Sequence, residues 1–189
     1  RLRIVAGNWR SRLLEIAEVP GLRPTAERIR ETLFNWLAPH IAGARCLDLF
    51  AGTGALGLEA LSRGAASATF VESSQLAATT LRRNVETLDA KGATVLEADA
   101  YAFLGEKEGE TFDIVFLDPP FADEAAGELC RLLDVGGLLA DGAFVYIEED
   151  RAAPAVDLPG RWQLLKSKTA GNVRYLLAKV EPNSQGEFR

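Results

Sequence analysis

What most constrains this chain is an alternation of short apolar runs with helical stretches that begins after Gly43. Runs at residues 45–50, 68–72, 94–97, 112–118 and 143–148 read as strands. The stretches 55–62, 74–88, 99–104 and 124–133 between them read as helices. Strands separated by helices cannot pair through tight hairpins. Each must cross over to its neighbour, which makes a parallel sheet with helices on both faces. The end breaks the pattern: runs at 162–169 and 173–180 are joined by Ala170-Gly171-Asn172, a hairpin signal. The expected fold is α/β, a mostly parallel sheet ending in an antiparallel hairpin.

Upstream of the alternation, residues 3–16 read as a small hairpin, with Arg3 to Ala6 and Trp9 to Ile16 around a Gly7-Asn8 turn. Pro24-Thr25 then opens a helix that runs to Leu37, with Ile29, Leu33, Phe34 and Leu37 on one face. The expected organisation is a basic hairpin extension over 1–22, a main domain over 23–180 and a polar tail over 181–189.

The hydrophobic fraction of 48% supports an ordinary core. No apolar run approaches the roughly 20 residues that span a bilayer, so no membrane is expected. The first twelve residues are basic rather than apolar, unlike a signal peptide. Cys46 and Cys130 lie in separate apolar runs and read as buried free thiols, which fits a cytoplasmic protein. A single histidine, His40, and two scattered cysteines leave no ligand cluster, and no metal is expected. The net charge of −6 conceals an asymmetry. Residues 1–45 hold eight Lys and Arg against four Asp and Glu, and the remainder is strongly acidic. A basic segment on an acidic body is the pattern of a protein that meets a polyanion with one part of its chain.

Two motifs carry chemistry. The first is Asp48-Leu-Phe-Ala-Gly-Thr-Gly-Ala-Leu-Gly57, which follows a strand and opens a helix. Its glycines let the backbone turn tightly and approach a ligand. Gly52 to Gly57 also matches the dinucleotide fingerprint, with Glu72 downstream, so an NAD-dependent dehydrogenase is one alternative. Asp48 argues against it. A carboxylate before the loop would repel a pyrophosphate, whereas S-adenosylmethionine offers an ammonium, a sulfonium and no phosphate. Glu72, at the next strand end, suits the ribose hydroxyls. Asp99-Ala100, at the third, suits the adenine amino group. Phe50, Gly52, Thr53 and Gly54 complete the expected cofactor contacts.

The second motif is Asp118-Pro-Pro-Phe121, after the strand that ends at Leu117. The prolines set the backbone direction as the chain leaves the sheet. An exocyclic amino group on a nucleobase is a poor nucleophile, because its lone pair is delocalised into the ring. Accepting its two N–H bonds, one on the Asp118 carboxylate and one on the Pro119 carbonyl, favours a pyramidal nitrogen. Phe121 would stack on the unstacked base. Asp118, Pro119 and Phe121 are therefore the expected catalytic residues. An adenine-N6 methyltransferase acting on DNA or RNA needs the same tetrapeptide and stands as a further alternative.

With these motifs goes a third stretch, Gly21-Leu-Arg-Pro-Thr-Ala-Glu-Arg-Ile-Arg-Glu-Thr-Leu-Phe-Asn-Trp-Leu37, and before it Arg3-Ile-Val-Ala-Gly-Asn-Trp-Arg-Ser-Arg12. Together they resemble the RsmD family of bacterial 16S ribosomal RNA guanine-N2 methyltransferases over about residues 3–180. The resemblance implies a class I, Rossmann-like methyltransferase with a seven-stranded sheet, which uses S-adenosylmethionine. It also implies one guanine of 16S rRNA as target, within the small ribosomal subunit. By the same resemblance Thr25 and Arg28 lie near cofactor or substrate. Arg3, Arg10 and Arg12 of the basic segment are expected to hold RNA. Where the family often has a second acidic residue two positions after Glu72, this chain has Ser74.

Overall fold

Among the described residues, seven strands and four α-helices after Gly43 realise the alternation, and the strands pair as the expected sheet. The computed structural model describes residues 1–106, 109–120 and 125–182. A small antiparallel pair, β1 (Leu2–Arg3) and β2 (Leu13–Leu14), comes first. It is followed by β3 (Arg45–Asp48), β4 (Ser67–Glu72), β5 (Ala93–Glu97), β6 (Phe112–Leu117), β7 (Leu139–Asp150), β8 (Trp162–Ala170) and β9 (Val173–Val180). These seven form one sheet in the order β5-β4-β3-β6-β7-β9-β8. The pairs β3–β4, β4–β5 and β6–β7 are parallel. β9 runs antiparallel to both β7 and β8, as the hairpin signal at Gly171 predicts. The helices are α1 (Glu27–Leu37), α2 (Ala55–Ser62), α3 (Gln75–Thr87), α4 (Ala100–Glu106) and α5 (Ala126–Val135). None of the described helices is long and apolar enough to cross a membrane.

The chain packs as two compact units, Arg1–Phe103 and Leu104–Arg189. In the first, α1 buries Ile29, Leu33, Phe34 and Leu37, the face expected from helical spacing. Every residue of α2 is buried. In the second, β6 is buried except at Asp113, and α5 covers the sheet with Leu129, Cys130 and Leu133. Phe116, Tyr146 and Tyr175 form a run of rings with successive centroids 6.4 Å apart, a spacing at which edge contacts are favourable.

Several boundaries differ from the sequence reading. Helix α1 opens at Glu27 rather than at Pro24-Thr25, because Ala26 stays extended (ψ 143°) and the Thr25 carbonyl accepts from the Arg30 guanidinium at 2.9 Å. The N-terminal hairpin is shorter than expected, and Gly7-Asn8 is not its two-residue turn. Ladder pairing stops at Arg3 and Leu13. Gly7, at φ +84°, lies flush on the backbone and hydroxyl of Ser62, where a side chain would not fit. Leu49 and Phe50 belong to the turn after β3, and β7 extends further at both ends than residues 143–148.

Candidate active site

The glycine loop is held from below by two carboxylates. Asp48 ends β3, is 2% exposed, and accepts the Gly57 amide of α2 on Oδ2 at 3.0 Å. Glu72 ends β4 and accepts the Gly52 amide on Oε2 at 2.7 Å and the Ser74 amide on Oε1 at 3.0 Å. The loop closes on itself through Gly54 N–H to the Ala51 carbonyl at 2.7 Å. Gly54 is the N-cap of α2 at φ +79°, and a side chain there would run into Leu81. Thr53 Oγ1 accepts from the Ala55 amide at 3.3 Å, and Phe50 is half-buried beside the loop.

This geometry bears on which ligand the loop suits. In a dinucleotide fold the helix N-terminus is left free for a pyrophosphate. Here Asp48 already brings a negative charge to the first turn of α2. No Lys or Arg occurs between Cys46 and Ser62 to offset a phosphate. These carboxylate acceptors suit a cationic, phosphate-free ligand whose hydroxyls meet a carboxylate.

At the next strand end, Asp99 is exposed and its Oδ2 accepts the Ala102 amide at 3.1 Å, capping α4, whose first residue, Ala100, is buried. Ser74, which stands where a second acidic residue was expected, caps α3 by accepting from the Ala77 amide at 3.3 Å.

One cluster was not legible in the sequence. Glu59 of α2 is fully buried and accepts four donors. They are the Val5 amide at 2.8 Å, the Ala6 amide at 3.0 Å, Arg30 Nη1 at 3.2 Å and Arg63 Nε at 2.9 Å. Arg30 is 2% exposed and also donates to the Arg3 carbonyl at 2.8 Å. Burial pulls its guanidinium below the usual value, while Glu59 and then Glu27 oppose that shift. One turn along α2, Ser62 Oγ accepts from the Trp9 amide at 3.0 Å and donates to the Ala6 carbonyl at 2.6 Å. Residues 3–9 and α1 are thus anchored to the helix that begins at the glycine loop. The available signal was Arg30 itself, a charge set among Ile29, Leu33 and Phe34 on an otherwise apolar face.

The expected RNA-contacting residues are spread over the surface of this unit. Arg3 pairs with Glu27 at 3.6 Å. Arg10, Arg12 and Arg28 are exposed, and Thr25 is half-buried.

In the second unit, Asp118 follows the last paired residue of β6 and is half-buried, and Pro119 is buried. Phe121 lies outside the described residues. Beside the prolines opens a cavity of about 240 Å³, lined among others by Pro119, Pro120, Gly127, Glu148 and Pro154. Glu148 is 5% exposed and accepts the Tyr146 hydroxyl on Oε1 at 2.6 Å. Burial, then the charge of Glu148 and the hydrogen bond to it, then Asp118, hold the Tyr146 hydroxyl well above the usual phenol range, so it stays a donor.

The family described as "Conserved hypothetical protein 95" matches residues 2–179. The ribosomal RNA small subunit methyltransferase D of Escherichia coli (strain K12) is 48% identical over 99% of this chain and 93% of its own. That of Haemophilus influenzae is 44% identical over 93% of this chain and 92% of its own. The solved structure of Escherichia coli yhhF superposes with a TM-score of 0.89 at 44% identity, covering 96% of this chain and 99% of that one.

Proposed function

The chain belongs to the ribosomal RNA small subunit methyltransferase D family, and from that premise we propose that it methylates the exocyclic N2 amino group of one guanine in 16S rRNA, within the small ribosomal subunit. The observation that carries the chemistry is the Asp118-Pro119 turn at the carboxyl end of β6, beside a cavity. S-adenosylmethionine, when bound, supplies an electrophilic methyl group on a sulfonium. Glu72 suits its ribose hydroxyls, since each carboxylate oxygen retains acceptor capacity beyond the amide it holds. Asp99 suits the adenine amino group in the same way. Asp48 acts through the loop, by filling the α2 N-terminus with negative charge and favouring a cationic ligand.

The chain's own part in the reaction is to bind and orient the amino group. Asp118 accepts one of its N–H bonds and the Pro119 carbonyl the other. That directs the nitrogen lone pair and holds the base at attack distance. The Asp118 carboxylate then receives the proton released on transfer. Guanine stacked in a helix cannot reach such a turn, so the target is unpaired or flipped. Ribosomal RNA as substrate requires a cytoplasmic enzyme.

The test is nucleoside mass spectrometry of small subunits from a strain lacking the gene, incubated with the protein and labelled S-adenosylmethionine. Label in N2-methylguanosine of 16S rRNA is the expected outcome. Label in N6-methyladenosine, or no incorporation, would overturn the assignment.

A further inference from the structure

Glu148 has no place in the chemistry above. Its placement is nevertheless costly. A carboxylate 5% exposed is charged in poor solvent unless it is hydrogen-bonded. One oxygen accepts from Tyr146 at 2.6 Å, and the other has no partner among the described residues. No buried side-chain oxygen or nitrogen among them is left without a partner. The second oxygen therefore reaches accessible space, and Glu148 lines the same cavity as Pro119 and Pro120.

Topology sets this carboxylate beside the amino-group acceptors. β6 and β7 are parallel neighbours whose last paired residues are Leu117 and Ile147, so Asp118 and Glu148 are the next residues on adjacent strands. Adjacent strands lie about 4.8 Å apart. The Watson–Crick edge of guanine carries two neighbouring donors, the C2 amino group and the ring N1–H. Adenine offers an acceptor at N1. Two acceptors one strand spacing apart match the first edge and oppose the second.

We propose that Glu148 is the guanine-selecting residue: its free carboxylate oxygen accepts the N1–H of the target base while Asp118 and the Pro119 carbonyl accept the amino group. This rests on the reading of the chain as a guanine-N2 methyltransferase. Tyr146 is a positioning residue. Its hydroxyl holds one carboxylate oxygen and so directs the other. A site that satisfies N1–H discriminates strongly, because a base lacking that donor leaves a buried carboxylate unpaired.

The experiment compares small ribosomal subunits reconstituted with guanine or with 2-aminopurine at the target position. 2-Aminopurine keeps the C2 amino group and lacks N1–H. Methyl transfer from S-adenosylmethionine is the readout. The wild-type enzyme is expected to prefer guanine by at least about tenfold in kcat/KM, the worth of one hydrogen bond to a charged group. Glu148→Gln should lose most of that preference, because its one acceptor is taken by Tyr146 and its N–H bonds face N1–H. Tyr146→Phe should narrow the preference without abolishing it. S-adenosylhomocysteine affinity and melting temperature are measured on each variant. If Glu148→Gln fails to fold, the wild-type comparison and Tyr146→Phe decide. Equal use of both bases by the wild type, or an undiminished preference in Glu148→Gln, overturns the proposal. No transfer to guanine by the wild type would instead sink the underlying guanine-N2 reading.

Discussion

Asp118 and Cys130 mark two extremes of what one side chain can do here. Asp118 is half-buried at the end of a strand and is assigned to the substrate, not to the cofactor. Asp118→Ala should therefore abolish methyl transfer and leave S-adenosylhomocysteine affinity close to wild type. Asp118→Asn, which still offers an acceptor, should retain more activity than Ala. Turnover beside calorimetry on both variants checks this, and normal turnover by Asp118→Ala would remove the carboxylate from the chemistry. Cys130 is buried in α5, and burial together with Glu149 pushes its thiol up to about 12. Only a thiolate attacks an alkylating agent. At neutral pH, iodoacetamide should leave Cys130 unmodified in the folded protein and label it in denaturant, as read by mass spectrometry. Labelling of Cys130 in the native state would contradict the packing of α5.

Among the elements, α2 organises the first unit. It starts at the glycine loop, and its Glu59 and Ser62 hold residues 3–9 and α1. Removing one partner of a buried ion pair strands the other charge, which costs about 3–5 kcal/mol. Glu59→Ala also leaves the Val5 and Ala6 amides unmet. It should lose at least that much stability in urea unfolding, whereas Arg63→Ala, with its side chain 17% exposed, should lose less. Equal losses would mean that the Arg30–Glu59 pair contributes little. At the far edge of the sheet, β8 is exposed along most of its length. A register shift between Leu164 and Lys166, with Lys166 and Lys168 on the strand, opposes edge-to-edge pairing.

Over the whole molecule, the net charge of −6 is set against a substrate that is a polyanion. The basic excess of residues 1–45 is the feature that offsets it. Arg1, Arg3 and Arg30 of that segment are engaged with Glu15, Glu27 and Glu59. The Arg10 and Arg12 side chains are exposed and make no hydrogen bond or ion pair among the described residues. The double variant Arg10→Ala with Arg12→Ala should bind small subunits more weakly. The slope of log affinity against log salt should fall by roughly one unit for each phosphate that is no longer neutralised. Its melting temperature should barely move, since exposed substitutions usually change stability by about 0.5 kcal/mol or less. Wild-type binding and slope in the double variant would mean that RNA is held elsewhere on the surface.

The sequence by itself determined the order of strands and helices, the antiparallel end of the sheet and the buried face of α1. Apolar periodicity and turn residues act over a few positions and need no distant partner. It also placed Asp48, Glu72, Asp99 and Asp118 at or just beyond the ends of strands. Tertiary structure decided what Asp48 and Glu72 touch. Asp48 meets an amide nine positions on and Glu72 holds Gly52 across the loop, whereas Asp99 caps its own helix through an amide three positions on. The same holds for Glu59, a glutamate in an ordinary helical stretch until the Val5 and Ala6 amides and Arg30 converge on it from more than twenty positions away. Glu148 reads as one of three consecutive acids at the end of a strand, Glu148-Glu149-Asp150. Strand pleating gives Glu148 and Glu149 opposite directions, so that one meets Tyr146 and the other Arg174. Hydrogen bonds between residues distant in sequence leave no periodic trace, and only the folded chain brings their partners together.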